Sequence, residues 1–399
     1  MQRIAARVWR GLARLALLSI LALAISLAGA ARAVIIATAL GTENTTAPAN
    51  DPGWANVGIR GGLTAVYVGN GWVVTASHVG AGPVTFGGVT YQASPGPGIG
   101  FHTAPSGQTA DLIVFKLKTN PPLPSLKISE MTPPIPTPGN PGAQVVMIGN
   151  GLNRGPELDN WGPDSLGQFH SGWYWGTGGG TRWGTNNVAG TMLVSVGMNT
   201  VTHSFWTVFD ANPSTYGTNE AQAAPGDSGG AVFYQNPTNG NAWELAGILF
   251  AIAGYSGQPG AALDGNETYA VDLAAYNAQS DPNSIQNIVN RPACSDGIDD
   301  DGDGFVDFPA DPGCQSATSM TESPACQDGI DNDGDGGIDY DGGVSANHGV
   351  ALGPPDPQCT TPYRNTERAS ACGLGAEAAA LVPLLSWLRR RRRLGMGPT

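Results

Sequence analysis

An all-β protein followed by a small acidic module is what this sequence predicts, and three observations point there. The 399 residues include 58 Gly and 31 Pro but are only 13% charged, a mix that suits turn-rich strands better than helical bundles. Between Val34 and Asn290 the apolar runs are short and are broken by Gly, Pro and Asn turns. Residues 294–359 carry fourteen Asp and one Glu with no Lys or Arg, so 15 of the 32 acids, and with them the net charge of −13, belong to that segment. No basic patch suggests a nucleic-acid partner.

In chain order, residues 1–33 read as an export signal. Arg3, Arg7, Arg10 and Arg14 make a basic start, an apolar run follows from Leu15 to Leu27, and Ala31-Arg32-Ala33 is a small-x-small cleavage site. The run falls short of the ~20 residues a spanning helix needs, so removal is expected rather than retention as an anchor. The clearest strands are 64–68, 72–75, 112–117, 145–148, 192–196, 231–234 and 245–252. A proline-dense connector, Pro121 to Pro141, separates the early ones from the later ones. A closing helix is expected with Asp281 as its cap, Pro282 in its first turn, and Ile285, Ile288 and Val289 on one face. This domain of 34–290 contains no cysteine and must be held by its core.

Three segments of that domain carry chemistry. Thr75-Ala76-Ser77-His78 ends a hydrophobic strand, Asp111-Leu112-Ile113-Val114 begins another, and Ser228 sits in the turn Gly226-Asp227-Ser228-Gly229-Gly230. A serine hydroxyl is a weak nucleophile unless an imidazole takes its proton, and a buried carboxylate fixes the tautomer of that imidazole. The amides of Gly226 and Ser228 would point at a developing oxyanion. Gly226 is needed for the sharp turn, and Gly229 and Gly230 would leave room for substrate. His102, His170, His203 and His348 lack such a setting and read as ordinary residues.

These segments, in the order His, Asp, Ser, resemble the trypsin and chymotrypsin family over about 34–290, and the likeness extends to Val146–Gly151 and Ala246–Leu249. The resemblance implies a chymotrypsin-like double β-barrel, two perpendicular six-stranded barrels with the active site between them, and a C-terminal helix. It implies a serine endopeptidase with a His78, Asp111, Ser228 triad, an acyl-enzyme intermediate and a protein or peptide substrate, with no cofactor for catalysis. It places Gln222 at the base of the specificity pocket and Ala251 and Ile252 on its wall, with Ile252 narrowing the entrance. Small or medium apolar residues would then be preferred, although Glu267, two before Tyr269, could also approach and favour a cation. Asp227 would receive an activating amine from Val34-Ile35-Ile36, freed by signal cleavage itself, even though Ala37 and Thr38 replace the family's glycines. Trp161, Trp173, Trp175 and Trp183 are expected to pack over the barrel surface.

Residues 291–360 hold a duplicated unit. Cys294, Asp296, Asp299, Asp301, Asp303 and Asp307 recur 32 positions on as Cys326, Asp328, Asp331, Asp333, Asp335 and Asp339. Alternate carboxylates before a glycine can supply oxygen ligands to Ca²⁺, so Asp299, Asp301, Asp303 and Asp307, and Asp331, Asp333, Asp335 and Asp339, are expected as structural calcium ligands. The opening is that of an EF-hand loop, but Ala310 and Gly342 stand where its bidentate Glu would be. Cys294–Cys314 and Cys326–Cys359 are the pairings that each enclose one loop, among three that four cysteines allow. The unit resembles the Asp-rich calcium repeats of bacterial surface proteins and thrombospondin type 3 repeats.

After a spacer at 361–371, Cys372-Gly373, an apolar run from Ala378 to Leu388 and five arginines resemble MYXO-CTERM-like sorting signals. That resemblance implies export and sorting machinery as partners, contact with a membrane only through the tail at 372–399, and a secreted or cell-surface location in a Gram-negative bacterium. The alternative to the enzyme is a catalytically inactive, protease-like surface adhesin.

Overall fold

The computed structural model describes residues 34–37, 43–95, 98–104, 107–197, 199–212 and 219–367. The expected signal segment 1–33, residues 38–42, the end of the spacer from 368 and the tail from Cys372 lie outside the described residues, as do several short loops. The chain divides into two compact units after Arg291. Among the described residues no helix is long and apolar enough to cross a membrane.

The first unit is mostly strand with very little helix. A short strand β1 (Ile35–Ile36) precedes seven antiparallel strands, β2 (Val57–Arg60), β3 (Leu63–Gly69), β4 (Trp72–Thr75), β5 (Val84–Phe86), β6 (Val89–Tyr91), β7 (Ile99–Thr103) and β8 (Gln108–Lys116). Their order across the sheet is β6-β5-β2-β3-β4-β8-β7. Tight hairpins set this order: Gly61-Gly62, Asn70-Gly71 and Gly87-Gly88 all have positive φ at both positions, as two-residue turns matched to strand twist require.

The resemblance implied a six-stranded first barrel, and the sheet departs from that by having seven strands, with β6 and β7 at its edges. The sheet nevertheless curls onto itself, because residues just past β6 bond to the end of β8. The Ser94 amide donates to Lys116 O at 2.9 Å, and the Lys118 amide donates to Gln92 O at 2.9 Å. Ala65, Tyr67, Val73, Phe86, Ile113 and Phe115 fill the inside. Val66, Val74 and Val114, on the opposite face, are also fully buried, so these strands read as continuous apolar runs.

Ten strands follow: β9 (Gln144–Gly149), β10 (Leu152–Trp161), β11 (His170–Gly179), β12 (Arg182–Ser195), β13 (Val201–Val208), β14 (Ala221–Gln222), β15 (Ala231–Asn236), β16 (Ala242–Ala253), β17 (Ala261–Leu263) and β18 (Glu267–Asp272). Six of them close a barrel in the order β12-β13-β18-β16-β15-β9. Its core is built from Val145, Met147, Val188, Phe205, Val232 and Leu249, with Val34 among them. The expected connector runs between β8 and β9 without a strand of its own. It lies along β16, with the Ser129 amide donating to Leu245 O at 2.9 Å.

Two features depart from expectation. A three-stranded sheet, β10-β11-β17, is separate from the barrel sheet, and its two long strands, interrupted by Gly, Asn and Pro, show none of the alternation that would have announced them. The closing helix α1 (Ile285–Val289) is capped by Ser284, whose hydroxyl accepts the Asn287 amide at 3.3 Å; Asp281 is not the cap. Its buried face is the expected one, Ile285, Ile288 and Val289.

The second unit has neither strand nor α-helix among its described residues. Disulfides join Cys294 to Cys314 and Cys326 to Cys359. Between them, carboxylates fold the chain by accepting backbone amides. Asp299 takes Gly302 N at 2.6 Å and Gly304 N at 3.1 Å, and Asp331 takes Gly334 N at 2.7 Å and Gly336 N at 3.0 Å. The duplication in sequence is thus a duplication in hydrogen bonding.

Candidate active site

Strand β4 ends at Thr75, and a turn closed by the Val79 amide on Ala76 O carries His78 into the open. Asp111 is only 2% exposed and lies inside β8, which starts three residues earlier than expected, at Gln108. His78 Nδ1 lies 2.7 Å from Asp111 Oδ2, and the His78 amide donates to Asp111 Oδ1 at 3.0 Å. The Ser77 hydroxyl donates to the same Oδ1 at 2.7 Å. From β13 in the second barrel, Thr202 Oγ1 accepts the amide of Asp111 at 2.9 Å. Sequence reasoning missed both Ser77 and Thr202; Ser77 was visible beside His78, whereas nothing local marks Thr202.

These bonds set the protonation of the pair. The hydrogen bond with Asp111 raises the His78 pKa above the ordinary imidazole value against partial burial, and the carboxylate's charge adds to it. Burial pushes Asp111 upward, but the bond and charge of His78 and the bond from Ser77 outweigh it and hold the carboxyl low. An ionised Asp111 keeps the proton of a neutral imidazole on Nδ1 and leaves Nε2 free to accept another.

The glycine turn meets the first barrel directly. The Thr64 amide of β3 donates to Ser228 O at 2.9 Å, and Gly229 N donates to Leu249 O at 2.7 Å. Gly226 and Gly229 have φ of +101° and +83°, which side-chain-bearing residues rarely adopt. A Cβ on Gly229 would fall 1.9 Å from Thr64 O and 2.1 Å from Thr75 Oγ1. The room left by Gly229 therefore serves the protein's own strands, not a substrate. Ser228 is half-buried, and among the described residues no hydrogen bond joins its hydroxyl to His78. The Gly226 and Ser228 amides likewise have no backbone acceptor among the described residues.

Beneath the turn, Asp227 is 1% exposed and accepts Gly151 N and Ala224 N, each at 2.7 Å. Burial pushes its carboxyl up to about 6, opposed by these bonds, by the Val34 amide and by the charge of Arg182. Val34 is fully buried in turn, and its carbonyl accepts from Nη1 of the buried Arg182 at 3.3 Å. Strand β1 pairs with β14, Ile35 opposite Gln222. Arg182 carries no motif and was not anticipated.

Two cavities flank Ile252. One, of about 180 Å³, lies against Ser228 and is walled by Ala223, Ala224, Leu249, Phe250, Ala251 and Ile252. The other, of about 300 Å³, holds Gln222 with Trp175, Tyr255 and Gln258. Gln222 thus lines the second cavity and not the one at Ser228. Glu267 accepts the Tyr269 hydroxyl and does not line the cavity at Ser228. Trp173 is buried under the Arg154 guanidinium at 4.3 Å, while Trp161 stacks with Tyr255 at 6.0 Å. His170 bonds Asp164 at 3.0 Å and stacks on Tyr255 at 3.8 Å, as a packed structural residue.

In the second unit, Asp299, Asp301 and Asp303 bring carboxylate oxygens within 4.8 Å of one another, as do Asp331, Asp333 and Asp335. The fourth expected residue of each set accepts a backbone amide. Asp307 accepts Gly297 N at 3.1 Å, and Asp339 accepts Gly329 N at 2.8 Å.

Residues 41–267 match the family model described as Trypsin. No curated protein sequence matches the chain. Solved structures that it resembles include the active form of the Rv3671c protease from M. tuberculosis, at 15% identity and TM-score 0.30, covering 53% of this chain and 68% of the other. The NS6 protease from murine norovirus 1 is similar at 17% identity and TM-score 0.31, covering 57% and 93%. Likenesses this distant carry no argument about chemistry.

The His78 pairing has a testable sign. A raised folded-state value means that the pairing stabilises the fold most below the ordinary histidine pKa, and that this contribution is lost as pH rises through the raised value. An NMR titration is expected to place His78 above 6.5 and to show it falling in Asp111→Asn; an unmoved titration would break the assignment.

Proposed function

Because the chain belongs to the trypsin family, we propose that this peptidase is an exported serine endopeptidase working through His78, Asp111 and Ser228. The observation that carries the reading is the 2.7 Å His78–Asp111 bond, held at the end of β4 where the Ser228 turn abuts the first barrel. His78 Nε2 takes the proton from Ser228 Oγ as that oxygen attacks the scissile carbonyl. The Gly226 and Ser228 amides receive the oxyanion. The proton passes from Nε2 to the leaving amine as the peptide C–N bond breaks, leaving an acyl group on Ser228. Water then adds with His78 as base, and acid and free Ser228 result. The open Ser228–His78 geometry fits this sequence, since catalytic hydrogen bonds often tighten only once substrate is seated.

A fluorophosphonate probe is expected to label the folded protein and to lose that labelling in Ser228→Ala; Asp111→Asn should lower kcat by about 10⁴. Folded protein that takes no label would leave the inactive-adhesin reading standing.

The small apolar walls beside Ser228 support a preference for small or medium apolar side chains before the cleaved bond. Ile252 lines both that chamber and the cavity holding Gln222. Ile252→Gly is expected to shift kcat/KM at least about 10-fold toward longer side chains in a peptide library, and an unchanged profile would remove Ile252 as the gate.

Activation is proposed to coincide with export. The Val34 nitrogen already faces Asp227, so cleavage after Ala33 would place a charged amine there. Arg182 gives Asp227 a cationic neighbour in either case. Residues fused ahead of Val34 with no cleavage should abolish activity; full activity would mean that the amine is dispensable.

The acidic unit is proposed to bind calcium as a structural ion. Its clustered carboxylates are hard oxygen donors, and its four described cysteines are spent in disulfides, a donor set that suits Ca²⁺ over zinc. Export at 1–33 and sorting at 372–399 rest on the sequence alone.

A further inference from the structure

We propose that Asp311 and Asp356, not Asp307 and Asp339, complete the cation sites of the two acidic repeats; this rests on the calcium reading above. Each belongs to an Asp-Pro-x-Cys segment, Asp311-Pro312-Gly313-Cys314 and Asp356-Pro357-Gln358-Cys359, whose cysteine closes its repeat's disulfide.

The two residues are held alike. Their amides donate to the carbonyls of Asp307 and Asp339, at 2.9 and 2.8 Å. Each is 2% exposed. Each spends Oδ1 on the amide two residues ahead, Gly313 N or Gln358 N, at 2.6 Å. In each, Oδ2 is buried with no hydrogen-bond partner among the described residues. A buried carboxylate oxygen left without a donor is costly, and finding it twice at equivalent places calls for a ligand that supplies positive charge.

Both residues adjoin their acidic triplets. Asp311 interacts electrostatically with Asp299, Asp301 and Asp303. A Cβ built on Gly337 would meet Asp356 Cα at 2.7 Å and Asp335 Oδ1 at 3.2 Å, so Asp356 adjoins the last acid of the second triplet. In the first repeat, four carboxylates this close repel unless a cation joins them. Asp307 and Asp339 have another task. With φ of 54° and 49°, they turn the chain and fasten it to the amides at Gly297 and Gly329.

The two Asp-Pro-x-Cys segments are not separated by the 32-residue repeat. The second disulfide spans 33 residues and the first 20, because residues are inserted between Asp339 and Asp356. The position 32 beyond Asp311 is Gly343.

The test uses the full chain carrying Ser228→Ala, stripped with chelator and titrated calorimetrically with CaCl₂ alone. Two sites are expected in this parent. Asp311→Asn should weaken one of them by more than about 10-fold and leave the other, Asp356→Asn should do the converse, and Asp307→Asn should keep both, since ligand charge count sets affinity. Asparagine retains the acceptor for Gly313 N. If Asp311→Asn nevertheless fails to form its disulfide, Asp311→Glu is expected to change the affinity of that same site alone, and a parent-like affinity overturns the assignment. Parent-like binding by both Asn variants, or a site lost in Asp307→Asn, overturns it as well. A parent that binds no calcium defeats the calcium reading itself, a different failure.

Discussion

A carboxylate shut away from water at the meeting of two barrels organises the first unit. Asp111 is nearly inaccessible, so its charge is tolerable only where donors converge on it. The Ser77 hydroxyl, the His78 amide and the His78 ring supply them, and all three come from the chain just past β4. Thr202 then ties the amide of Asp111 to the second barrel. The imidazole is oriented because the aspartate must be satisfied, and the aspartate is held in place by both barrels at once.

Asp227 states the same constraint one layer deeper. Its two oxygens accept from Gly151 and Ala224, and the Val34 amide and the Arg182 charge complete its surroundings. The glycine turn above it is shaped by that anchor below and by Thr64 and Thr75 beside it. A change near β1 would therefore reach Ser228 through one buried carboxylate, with no need for an extended pathway.

Much of this was legible in the residues. The strands that alternate or run apolar, 64–68, 72–75, 231–234 and 245–252, fall within β3, β4, β15 and β16, because burial on one or both faces writes itself into the pattern. The segments bearing His78, Asp111 and Ser228 stood out because glycines and strand ends flank them. What stayed hidden was non-local. The β10-β11-β17 sheet has no periodicity, Thr202 and Arg182 lie far along the chain from their partners, and the Asp-Pro-x-Cys acids are displaced by an insertion. Gly229 misled in another way: its backbone geometry was readable, but which neighbour filled the space was not.

The cysteine distribution also divides the molecule by what holds it together. Residues 34–293 contain no cysteine, and the barrels rest on apolar cores. Beyond Pro292, Phe305, Val306, Phe308 and Ile330 lie exposed, while the buried apolar side chains include all four disulfide cysteines. With so little apolar burial among its described residues, this unit owes their shape to covalent closure and charge. A thiol reductant would accordingly dissolve the acidic repeats and spare the barrels, so one chain joins a half that is indifferent to redox conditions and a half that is governed by them.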